Sequence, residues 1–165
     1  MGYYCDQVTC EFFISAANVP AALAAIKQMA VSEHERGGGS SSQMVDGKLN
    51  ITRHYSWVSP SYVQSRTFKE AMNEWRWDVE EDAQGNILSV LFKGEKLGDD
   101  AELMSAIAPF VEHRSYIQMR GEDDSVWRWV FWRGELREES PIIIWAYESM
   151  TPAQELLEAA AEQTA

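Results

Sequence analysis

Eight consecutive residues, Val126-Trp127-Arg128-Trp129-Val130-Phe131-Trp132-Arg133, restrict what this chain can become more than any other stretch. Read as a strand, with side chains alternating between two faces, they place Trp127, Trp129, Phe131 and Arg133 on one side and Val126, Arg128, Val130 and Trp132 on the other. Both faces are largely apolar. Such a strand either sits centrally in a sheet covered on both sides or displays one aromatic face to a partner. The tripeptide Trp-Arg-Trp occurs a second time, at Trp75-Arg76-Trp77. There a helical pattern precedes it, so the likeness lies in the letters rather than in a duplicated unit.

The remaining segments alternate between helical and strand periods. Gln7 to Ser15 reads as a strand. Asn18 then caps a helix with Pro20 in its first turn and Ala22, Leu23, Ile26 and Met29 on one face. Residues 33–49, with Gly37-Gly38-Gly39 and Ser40-Ser41-Ser42, read as a flexible connector or long loop. A strand is expected near Ile51 to Val58. It is followed by a short helix with Thr67 and Glu70 spaced as a capping box and Phe68, Met72 and Trp75 on one face.

Arg76 to Glu81 and Ile87 to Phe92 read as strands joined by a turn at Asp82 to Asn86. In the first of them Trp77 and Val79 point inward while Asp78 and Glu80 face water. A helix opening at Gly98 and Asp99 carries Leu103, Ile107 and Phe110. Tyr116 to Met119 pairs with the aromatic strand across a turn at Gly121 to Ser125. Ser140 to Tyr147 supplies one more strand, and residues 152–163 a terminal helix with Leu156, Leu157 and Ala160. The expected fold is one α+β domain over residues 1–165, a mainly antiparallel sheet with helices on one face, in the manner of a ferredoxin-like plait.

Charge is unevenly distributed. Residues 1–66 hold five acids and five bases, so the net −12 falls entirely on residues 67–165. Dense acid occurs at Asp78, Glu80, Glu81 and Asp82 and again at Glu122, Asp123 and Asp124. Nucleic acid is a disfavoured ligand, because its affinity comes from Lys and Arg neutralising phosphates. A basic protein partner is favoured, and one form of such a binder is an inhibitor that imitates nucleic acid in a basic groove. Mere solubility is the plainer reading of the same charge.

Catalytic and cofactor patterns are missing. Cys5 and Cys10 point to opposite faces of one strand and read as reduced thiols; with His34, His54 and His113 scattered, they give no metal-ligand spacing. The three glycines lack the Lys-Ser or Lys-Thr of a phosphate loop, and no cofactor is implied. No apolar run approaches the roughly 20 residues of a membrane span, and no basic stretch leads into an apolar core as in a secretory signal, so the cytoplasm is the expected compartment. The expected function is a non-enzymatic module that binds a basic protein through the two acidic clusters and Trp127, Arg128 and Trp129. The alternative is an enzyme or small-ligand protein with a dispersed site near Tyr116, Arg120 and Trp129. Whether a helix covers Trp127, Trp129 and Phe131 separates core from interface.

Overall fold

The structure is a computed structural model that describes residues 3–31 and 36–143. The expected terminal helix over 152–163, the end of the strand expected at Ser140 to Tyr147, and His34 lie outside the described residues. The strands are β1 (Tyr3–Glu11), β2 (Ser40–Val45), β3 (Lys48–Arg53), β4 (Trp77–Glu81), β5 (Ile87–Phe92), β6 (Lys96–Leu97), β7 (Tyr116–Gly121), β8 (Val126–Trp132) and β9 (Glu135–Glu139). The helices are α1 (Val19–Gln28), α2 (Phe68–Glu74) and α3 (Asp100–Ile107).

Five strands form one antiparallel sheet in the order β6-β1-β7-β8-β9, and β2-β3 and β4-β5 are separate hairpins. The mixed α+β class is as expected. The plait is not reproduced: β7, β8 and β9 follow one another as a simple meander, without the helical crossovers that interleave a plait. The central position of the aromatic strand follows from its composition, since β8 has a neighbour on each side.

The β4-β5 hairpin joins the main sheet through one backbone bridge, Ile14 to Ile87, and through a side chain. At a bulge between Gln7 and Thr9, the Gln7 carboxamide donates to the Val90 carbonyl at 2.8 Å and accepts from the Phe92 amide at 2.8 Å. A glutamine thereby takes the place of a missing peptide in the ladder.

Local signals account for the helices. Asn18 occupies the N-cap position of α1 with Pro in the first turn, although its side-chain amide donates to the Phe110 carbonyl instead of capping. Thr67 caps α2 by accepting from the Glu70 amide, and the Glu70 carboxylate takes the amide of Arg66, one residue ahead of a regular capping box. Trp75 ends α2, and Arg76 turns the chain with φ +67° into β4. The helices and the inner faces of the sheets share one core, with Ile26, Met72, Trp75, Trp77, Leu103, Ile107, Ile117, Trp129 and Phe131 fully buried.

Two sequence expectations change. Most of the connector expected over 33–49 is a β-hairpin, because Asp46-Gly47, with φ +50° and +74°, forms the two-residue turn that such ribbons favour. The strand expected to reach Val58 stops at Arg53: the chain turns at Trp57, with φ +63°, and Pro60 opens a short 3-10 turn.

Candidate functional site

The ten sequence-predicted site residues separate into three groups. Trp129 is in the core at 1% exposure, Trp127 is partly buried against Tyr3, and Phe131 beside them is fully buried. The aromatic face of β8 is therefore covered, and the expectation of a Trp127 and Trp129 surface is corrected. Tyr3 lies against Trp127, Trp77 against Trp129 and Phe12 edge-on against Phe131, so β8 contributes its bulkiest row to the single core. Burial also brings the two Trp-Arg-Trp motifs together, with the rings of Trp77 and Trp129 6.4 Å apart. Arg128 remains on the outer face, donating to Gln118 at 2.8 Å and lying over the Tyr116 ring at 4.3 Å.

Some acidic residues have structural roles. Asp82 accepts from the amides of Gln84 and Asn86 and from the Asn86 side chain, which closes the β4-β5 turn and lowers its pKa. Asp123 accepts from the Tyr3 hydroxyl and the Ser125 amide, and these bonds bring its pKa down to about 2. The Tyr3 hydroxyl lies where any side chain on Gly121 would begin, so only glycine permits this clasp. Asp78 pairs loosely with Lys93 at 3.4 Å. Glu80, Glu81, Glu122 and Asp124 are exposed.

The turn carboxylates are not alone. Glu122 and Asp124 line a cleft of about 570 Å³ with Asp6 of β1 and Glu95 of the β5-β6 connection, beside Tyr4 and Arg120. Four carboxylates against one guanidinium make it the acidic concavity of this structure. The pairing of β1 with β7 creates it: Asp6 stands opposite Arg120, and Cys5 opposite Gly121 at the start of the turn. Sequence reasoning missed Asp6 and Glu95 because they are separated from the acidic runs and become their neighbours only through strand pairing.

A second exposed feature is the β2-β3 hairpin. All twelve of its strand residues are exposed, and none enters the core. Met44 pairs with Leu49, and Ile51 lies two residues from Leu49 on the same face, so the ribbon carries an apolar stripe exposed by 59–68%.

The dispersed alternative site is not gathered. Trp129 is inside, while Tyr116 and Arg120 lie four residues apart on the outer face, the Tyr116 hydroxyl donating to Glu11 at 3.2 Å. Asp100, whose pKa is raised by burial, is fully enclosed and held by Arg76, Trp77 and Gly98. Burial pushes the Cys5 thiol up to about 11 and raises Cys10 as well, which makes both poor nucleophiles. Among the described residues no cluster of His, Cys, Asp or Glu is placed to hold a metal, and no helix is long and apolar enough to cross a membrane. No family model, curated protein or solved structure matches the chain.

Proposed function

We propose that this protein is a small binding module that receives a basic segment of a partner protein in the cleft lined by Asp6, Glu95, Glu122 and Asp124. The observation that carries this reading is the convergence of four carboxylates from three parts of the chain on one concavity. Lys or Arg side chains entering it would gain from each of them. Acidic charge on the β4-β5 hairpin, at Glu80 and Glu81, adds long-range steering rather than a second pocket. The apolar stripe of Met44, Leu49 and Ile51 offers the kind of contact area that a charged cleft lacks. An inhibitor that occupies a basic groove in place of nucleic acid is one form this binding takes.

A fluorescent Lys/Arg-rich peptide provides the test. Its affinity is expected to fall by at least about tenfold between low and moderate salt, as the Debye length shrinks below the size of the cleft. Replacing the four cleft acids by Asn or Gln is expected to remove most of the binding, and Glu80→Gln with Glu81→Gln only part of it. Binding that ignores salt, or that survives loss of all four acids, would sink the proposal.

A further inference from the structure

The other end of β7 and β8 gathers arginines around one indole. Trp132, half-buried on the outer face, has the guanidinium carbons of Arg114, Arg133 and Arg137 at 5.7, 5.9 and 5.5 Å from its ring centre. The His113 ring meets it edge-on at 4.5 Å. Arg137 has Glu135 at 3.7 Å, whereas among the described residues Arg114 and Arg133 have no carboxylate within ion-pair distance.

Both unpaired arginines occupy backbone positions that suit other residues. Arg133, with φ +53°, and Gly134, with φ +85°, form the two-residue turn between Trp132 and Glu135. Asn or Asp is the favoured first residue of such a turn, and the β2-β3 hairpin of this same chain has Asp46 there. Arg114, with φ +73°, sits in a turn closed by the Ser115 amide on the Glu112 carbonyl, at a position that favours Gly or Asn. Two separate turns thus place arginine where a left-handed backbone is costly, and both guanidiniums reach the same indole. Strain of this kind persists where a side chain is kept for what it contacts.

We infer that Trp132, Arg114, Arg133 and Arg137 form a docking site for an acidic peptide segment of a partner protein. A half-exposed tryptophan ringed by arginines has the composition of a binding hot spot, and a guanidinium grips a carboxylate through two parallel hydrogen bonds. Charge spacing favours a peptide over nucleic acid. Glu11, Glu135 and Glu139 stand on the same outer face, and a nucleic-acid strand carries a charge on every nucleotide and cannot avoid them. A peptide can set separate carboxylates against the guanidiniums and an apolar side chain over Trp132. The acidic cleft does not oppose this: Val126 to Trp132 covers about 20 Å of strand, roughly twice the Debye length at physiological salt. The site is independent of the cleft and of the basic partner proposed for it.

The test uses fluorescence anisotropy with three probes: a short peptide alternating Glu with Leu and Phe, the same peptide with Gln for Glu, and a short oligothymidylate. The acidic peptide is expected to bind at least about tenfold more tightly than its Gln analogue, and Arg114→Gln with Arg133→Gln to lose that difference. Arg133→Asn is the decisive variant. It improves the turn, so the thermal midpoint is expected to hold or rise while peptide affinity falls, a split that a purely structural arginine would not produce. Equal binding of the two peptides, unchanged affinity in the double variant, or tighter binding of the oligothymidylate would each overturn the assignment.

Discussion

The indole N–H of Trp77 donates to the carboxylate of Asp100 at 2.9 Å, linking the last residue of the first Trp-Arg-Trp motif to the first turn of α3. The same carboxylate takes the Arg76 guanidinium at 3.1 Å and the Gly98 amide at 2.8 Å. Asp100→Ala leaves Arg76, only 21% exposed, without its counter-charge, and is expected to cost about 3–5 kcal/mol in urea unfolding. Asp100→Asn keeps an acceptor and costs less.

The pH response of wild type against Asp100→Asn has a defined sign. Burial raises the Asp100 pKa in the folded state, with the Gly98 amide, Arg76 and Trp77 opposing the rise. The folded protein then holds this proton more tightly than the unfolded chain, so the contribution is present below the ordinary value of 3.8 and is lost as pH rises above it. Unfolding at pH 4 and pH 7 is expected to show the advantage of wild type over Asp100→Asn shrinking with pH. An advantage that grows would contradict the burial assignment.

Asp123 slopes the other way. Its pKa of about 2, set first by the Tyr3 hydroxyl, means stability present above 3.8 and lost as pH falls toward 2. Asp123→Asn, which removes the titrating group, is expected to flatten the acid limb of a thermal-midpoint profile, and Tyr3→Phe to flatten it only in part, because the bonds from Ser125 remain.

Trp129 and Arg128 are neighbours in sequence and opposites in consequence. Trp129→Ala empties a fully enclosed site against Trp77 and is expected to cost about 3–5 kcal/mol. Arg128→Ala loses a hydrogen bond to Gln118 and a stack on Tyr116 at the surface, worth about 1 kcal/mol or less. Denaturant midpoints of the two variants check the contrast.

Gln7→Met keeps the length of the side chain but strands the Val90 carbonyl and the Phe92 amide. A loss of about 1–3 kcal/mol is expected, with hydrogen exchange accelerating first at Phe92. Unchanged protection at Phe92 would show that the backbone alone holds β5 to β1.

Much of this architecture is legible in the residues. The turn at Asp82 to Asn86, the cap at Thr67, the span of β5 and the alternation of Trp77 and Val79 with Asp78 and Glu80 follow from local chemistry that tertiary contacts do not override. β9 escapes the same reading because Glu135-Leu136-Arg137-Glu138-Glu139 has no apolar row; an edge strand needs only backbone pairing, and the signal was the glycine of the preceding turn. Residues 40–53 mislead in the opposite sense, since serine-rich strands exposed on both faces have the composition of a linker. The candidate sites were less legible. Asp6 and Glu95 meet Glu122 through strand register, and Arg114 meets Trp132 because a turn folds back on β8; no spacing within the chain encodes either meeting.

The β2-β3 ribbon contributes nothing to the core, and a lone two-stranded hairpin is at best marginally stable in water. Its opening and the unfolding of the body are therefore separate events with separate free energies. Amide protons of Met44 and Leu49 should exchange within the time of a manual dilution, while those of Ile117 and Trp129 wait for the whole molecule to open. A partner that fixes the ribbon would announce itself by slowing those few protons alone, long before any change in the melting temperature.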